Sequence, residues 1–287
     1  MASTVPNFKN QLANRFIEDL ENDRLILPSL PDVAMRVARV LNNGISDADA
    51  IAEVIQTDPA ITAKLIKAAN SAMYGRCMPV KVCSAAVVRL GSALTHKLVL
   101  SLSMRELFTT ESPLLQQRMQ TLWKHSTEIA ALCYVLARRD QRFDPEQAML
   151  VGLLHDIGVV AVLNYIDKFP VEVNRAEVID DAIRTLRART SSMILEKWRF
   201  PSEFTVAAFE AEDWMRNTGG LPDYCDLVIM AQLHSTAGSG QQQTLPMINQ
   251  TSAYSRLSLG ELMPDFSLKF RDEEREKIGQ AESLLNM

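Results

Sequence analysis

The sequence predicts an all-α protein, and three observations carry that prediction. Apolar residues recur at helical spacing in almost every segment, as in Val33, Ala34, Val37, Ala38, Val40 and Leu41. The pairs Asp58–Pro59, Ser112–Pro113 and Asp144–Pro145 read as boundaries that open helices, because a proline at the first helical position lacks an N–H that would be unpaired anyway. No segment alternates apolar and polar residues for more than a few positions, so nothing reads as a strand.

The elements follow in order. A first helix lies between a start at Ser29–Pro31 and a stop at Gly44. Ser46 with Asp49 resembles a capping box for a helix carrying Ile51, Ala52 and Ile55. Asp58–Pro59 opens a helix to about Met73, with Asn70 suited to a left-handed cap near its end. Residues 76–83 read as a loop, and helical patterning resumes near Ser84, pauses at Gly91 and runs from Ser92 to Phe108. Beyond Ser112–Pro113 a long helix reaches about Arg139, and another opens at Asp144–Pro145 and runs past Val159. Further helices are expected at 171–188, 191–199, 202–215, 222–235 and 251–262. Residues 235–244 read as a polar surface loop, and the charged stretch from Lys269 as a solvated terminal helix or a frayed tail.

Composition narrows the function classes. The 287 residues are 47% hydrophobic and 23% charged, the balance of an ordinary globule with a sizeable core. A net charge of −5 gives no global attraction to nucleic acid or an anionic membrane. The charge is uneven, however. From Pro59 to Arg105 seven Lys and Arg residues stand without an acid, a stretch that can attract a phosphate-bearing ligand or pair with acidic neighbours. Lys64, Lys67, Asn70 and Arg76 are the candidate ligand residues there. The N-terminus has no apolar signal region, and the apolar run 149–163 is interrupted and too short to span a bilayer. The four cysteines form no CxxC pair, which suits reduced thiols and a cytoplasmic location.

The most informative dipeptide is His155–Asp156, set in the otherwise apolar LVGLLHDIGVVAVL. Burying an ionisable pair in such a helix requires partners, either a divalent metal or a hydrogen-bond network. His125 lies on the edge of the apolar stripe of the preceding helix, and a helical hairpin can bring it close to His155. A lone buried histidine is usually a satisfied core residue, but two with an aspartate on adjacent helices form a candidate site.

His…His-Asp on consecutive helices resembles the HD superfamily of metal-dependent phosphohydrolases, and GLLHDIG (152–158) resembles the central motif of its HDOD branch. LPSLPDVAMRVARVLN (27–42), TDPAITAKLIKAANSAMYG (57–75), AAVVRLG (85–91) and EKWRFPSEF (196–204) match further HDOD motifs in order. The resemblance implies a multi-helical HD-like bundle (113–262) with an N-terminal helical HDOD subdomain (22–110) and a charged tail (263–287). It also implies a metal site at His125, His155 and Asp156. The departures bear on that site. Where HD enzymes place a later Asp this chain offers Ala231–Gln232, and RTLRARTSS and AAFEAEDW lack the histidines of HD-GYP relatives. Glu210, Glu212 and Asp213 are acidic, but nothing in the sequence places them.

The expected function is therefore a non-catalytic bacterial signal-transduction module with a degenerate metal site and no resident cofactor. It would act through other signalling proteins, with a nucleotide as a possible ligand. The alternatives are one bound divalent metal (Mn, Fe, Zn or Ni) or a divergent metal-dependent phosphohydrolase. Helices 47–56 and 59–73 also outline a helix-turn-helix, but Ala60, Lys64, Lys67 and Ser71 offer only phosphate-type contacts, which argues against DNA reading.

Overall fold

The computed structural model describes residues 5–22, 24–43, 47–75, 78–169, 175–237, 244–257 and 259–287. Ser46 and Arg76, two residues singled out above, lie outside them, as does part of the 235–244 stretch. The helices are α1 (Val5–Glu21), α2 (Asp32–Asn42), α3 (Ala48–Gln56), α4 (Pro59–Ala69), α5 (Cys83–Leu90), α6 (Ser92–Ser103), α7 (Pro113–Ala137), α8 (Pro145–Leu154), α9 (Gly158–Ile166), α10 (Ala176–Lys197), α11 (Ser202–Glu210), α12 (Tyr224–Thr236), α13 (Ser252–Arg256) and α14 (Asp272–Leu285). Among the described residues the only strand-like pairing is one isolated bridge, Leu262 with Leu268. The all-α expectation holds.

Local chemistry explains most boundaries. Asp58 caps α4 by accepting from the N–H groups of Ala60 and Ile61 at 2.9 and 3.0 Å, with Pro59 in the first turn. Asp144 caps α8 from Gln147 N at 2.9 Å. Asp47 caps α3, accepting from Asp49 N at 3.4 Å.

Several sequence expectations are corrected. Helix α4 ends at Ala69, and Asn70 has φ −98°, so it is not a left-handed cap. Its side chain instead holds the following loop, accepting from Val80 N at 2.9 Å and donating to Val80 O at 2.8 Å. The two helices expected at 171–188 and 191–199 are one, α10, because Arg189 and Thr190 carry no breaker. The single helix expected from Asp144–Pro145 tightens at His155–Ile157, where i→i+3 bonds join Ile157 to Leu154 and Val159 to Asp156 at 3.1 and 3.0 Å. The C-terminal stretch is a terminal helix, as one of the two expectations had it, but only one face of it is solvated. Helix α14 buries Ala281, Leu284 and Leu285 against α7, and Arg139 binds Glu274 through two bonds of 2.9 Å. The sequence reading also missed α1, which packs on α10, with Phe16 edge-on to Tyr165 at 5.0 Å.

The core runs along α7, α8 and α9. Every residue from Ala148 to Leu163 is buried. Together α8 and α9 are long and apolar enough to cross a membrane, but 94% of that window is buried inside the protein. Helix α7 packs on α8, α12 and α14, while α10 closes over α9 and α11. The N-terminal helices α2 to α6 join this body chiefly where α6 meets α8. A buried charge network ties the far side together: Arg216 binds Glu210, Asp223 and Asp226 at 2.8, 2.8 and 3.1 Å, and Arg256 binds Asp226 at 3.1 Å.

Candidate functional site

Two glycines decide how closely the helices approach the HD motif. A Cβ on Gly152 would lie 2.9 Å from the Ala130 Cα of α7, and one on Gly158 would lie 2.4 Å from Ser191 N of α10. Neither neighbour can yield, since both are backbone. Gly158 N also donates to Ser191 Oγ at 2.8 Å. The sequence GLLHDIG thus presses α7 and α10 against opposite sides of the His155–Asp156 turn.

That turn brings the three predicted residues together. His125 of α7 places Nε2 3.9 Å from Asp156 Oδ2, and His155 Nε2 lies 3.5 Å from the same oxygen. The imidazole rings are 5.3 Å apart between centroids. One ligand atom from each of the three residues lies within 4.8 Å of the others, and this is the one such group found among the described residues.

His155 is the most constrained member. Its Nδ1 sits 2.7 Å from the Gly152 carbonyl, which fixes the tautomer with the proton on Nδ1. The lone pair of Nε2 then faces the site, and that buried atom has no hydrogen-bond partner. Burial lowers the imidazole pKa to about 4, outweighing the upward pull of Asp156, so the ring is neutral. A neutral histidine held at Nδ1 by a carbonyl is the form that ligates metals. Burial pushes the Asp156 carboxyl upward, but the Arg187 guanidinium beside both of its oxygens pulls the other way, and the net effect holds the group below its ordinary value.

Arg187 is the residue that sequence reasoning missed. It lies in RTLRARTSS on α10 and donates from one guanidinium nitrogen to both Asp156 oxygens, at 3.0 and 3.2 Å. Its other terminal nitrogen pairs with Glu212. The two segments noted for lacking histidine therefore meet at the HD motif through an arginine and a glutamate. The available signal was the helical spacing of Leu186, Thr190 and Ile194, which puts Arg187 beside the buried stripe.

The other candidates are dispersed. Glu210 binds Arg216, and Asp213 is exposed. Gln232 is buried and donates its amide to the Ala211 carbonyl at 2.8 Å. Lys64 reaches the Leu102 carbonyl at 3.4 Å, Lys67 is exposed, and Asn70 is engaged with Val80 and Arg89. Above the HD motif lies a cleft of about 510 Å³, with His125 and Asp156 in its wall beside Arg118, Leu122 and Val159. It is of the size that takes small ligands.

Comparison with known proteins agrees with this geometry. The family model of the HDOD domain matches residues 27–213. A solved structure from Shewanella amazonensis SB2B, described as a "Putative metal-dependent phosphohydrolase", is 26% identical with a TM-score of 0.82, covering 96% of this chain and 99% of that one. An HDOD domain protein of unknown function from Geobacter sulfurreducens is 22% identical with a TM-score of 0.57, covering 80% and 78%. A "Putative signal transduction protein" from Marinobacter aquaeolei VT8 is 19% identical with a TM-score of 0.54, covering 91% of this chain and 60% of that one. No curated protein matches the chain. With the family model spanning residues 27–213 and the HD motif at the centre of the helical body, this chain belongs to the HDOD domain family.

Proposed function

We propose that this HDOD protein is a signal-transduction module that acts by binding other signalling proteins, and that its HD centre is degenerate and does not turn over substrate. The observation that carries the reading is Arg187. Its guanidinium occupies the Asp156 carboxylate that a catalytic metal would need, and supplies the positive charge that a metal would bring. A binuclear phosphohydrolase site needs ligands for two ions about 3.5–4 Å apart. The three donors here fall short of that, and Gln232 and Glu212 are committed to Ala211 and Arg187.

A second reading is favoured by one atom, the unpartnered Nε2 of His155. The donor set fits a single divalent ion, held by His125, His155 and Asp156. Bound there, such an ion would act as a Lewis acid toward a phosphoryl oxygen. In that case this chain's residues would hold the ion, while Arg187 would compete for Asp156 and raise the cost of placing a second cation nearby.

The deciding experiment is metal content by elemental mass spectrometry on protein purified without chelator or a histidine-rich tag, alongside hydrolysis of bis(p-nitrophenyl) phosphate. The expected result is substoichiometric metal and no turnover. Stoichiometric metal without turnover selects the second reading. Turnover that disappears in His155→Ala overturns both and makes the protein a metal-dependent phosphohydrolase.

A further inference from the structure

A cavity of about 820 Å³ lies away from the HD motif, where α2 and the segment before it meet α6, α8 and the α10–α11 junction. The two sequence motifs that build its walls are joined directly. Trp198 Nε1 donates to the Pro28 carbonyl at 3.1 Å, and Phe200 packs tilted between Trp198 and Phe204 at centroid distances of 6.2 and 4.8 Å. Twelve of the twenty lining residues are apolar, four are cationic (Arg39, Lys97, Lys197 and Arg199) and none is acidic.

Two of those cations are held in reserve. Lys97 is paired with Asp144, but Arg39 and Arg199 have no ion-pair partner among the described residues. His96 also lines the cavity, and its buried Nε2 has no hydrogen-bond partner.

Arg199 adds an independent argument. Helix α10 ends in a Schellman motif, with Phe200 N bonded to Leu195 O at 2.9 Å and Arg199 N to Glu196 O at 2.8 Å. The residue at that point is left-handed, φ 59°, where glycine is favoured because a Cβ crowds the following carbonyl. An arginine at this position lowers stability relative to glycine, and it lines this cavity. Strain of this kind marks functional positions when the surroundings impose it.

We propose that this cavity binds a small amphiphilic anion, its aliphatic body lying on Trp198, Phe204 and Leu150 and its carboxylate or phosphate head on Arg199 and Arg39. A largely apolar cavity lined by cations and by no acid complements such a ligand in charge and in character. Binding would bridge the N-terminal helices and α8, giving the module an input separate from the HD centre.

The test is calorimetric titration of the full chain with dodecanoate and with dodecyl phosphate, both below their micelle thresholds, and with dodecanol as the neutral control. Both anions should bind, the tighter one identifying the head group, and dodecanol should bind at least tenfold more weakly, in keeping with the strength of hydrogen bonds to charged groups. Arg199→Gly should raise or preserve the thermal midpoint while weakening anion binding about tenfold. Arg39→Gln, at an exposed site, should weaken it without unfolding the protein. Absence of anion binding, equal affinity for dodecanol, or unchanged affinity in Arg199→Gly would each overturn the proposal.

Discussion

Two buried charge centres sit in the same helical body and differ in how completely they are satisfied. Around Arg216, every partner is an acid in hydrogen-bonding range, and Asp226, fully buried, accepts from two arginines and from the Asp223 backbone at 3.1 Å. Around Asp156, one arginine serves two acids, one histidine nitrogen has no partner, and a cleft opens above. The first centre is closed and holds α11, α12 and α13 in place. The second leaves the buried Nε2 of His155 without a hydrogen-bond partner, which the first does nowhere among its charged groups.

Substitutions can break or sharpen this contrast. Asp226→Ala removes the buried carboxylate that Arg216 and Arg256 share, leaving Arg256 without an acid among the described residues while Arg216 keeps Glu210 and Asp223, and should have the largest effect, a loss of about 3–5 kcal/mol in urea unfolding. Arg187→Ala should cost somewhat less, about 3 kcal/mol, because Glu212 is partly exposed and can turn to water. In that variant added Mn²⁺ or Zn²⁺ should raise the thermal midpoint more than in the parent, as the freed Asp156 becomes a ligand. Unchanged metal response in Arg187→Ala would argue that the arginine is not standing in for an ion. His155→Ala removes a single hydrogen bond, to Gly152, together with some packing, and should cost about 2 kcal/mol.

A third ion pair is read through pH and not through a deletion. Hydrogen bonding from Arg139 lowers the Glu274 carboxyl from 4.5 to about 2. A depressed acid stabilises the fold fully above its unfolded value and loses that contribution as pH falls through its folded value. The thermal midpoint of the parent should therefore fall between pH 4.5 and 2 more steeply than that of Glu274→Gln.

The sequence made the helices legible wherever a local signal set them, as with the Asp58 and Asp144 caps. It also made the HD residues legible, because a charged pair inside an apolar helix is visible without any partner. What it hid was non-local. Arg187 lies 31 positions from Asp156 and looks like its surface neighbours Arg184 and Arg189 until α10 is packed on α9. The tightened turn at His155–Ile157 has no breaker residue, since it arises from the fit of two glycines against neighbouring backbones. Helix α14 reads as solvated because its few apolar residues, Ala281, Leu284 and Leu285, gain meaning only against α7. Nothing in the sequence marks Arg199, and only its backbone angle shows that it occupies a glycine's place.

The docking of α14 also leaves an optical handle. Trp123, two residues before His125, is buried edge-on to Phe108 and donates its indole N–H to Asn286 at 2.8 Å. In a chain whose Trp198 and Trp214 are changed to Phe, the emission of that one indole would report the environment beside the HD centre. Lifting the terminal helix would let water reach the ring and shift its light to the red, so a fluorimeter could time the release of α14 without any label.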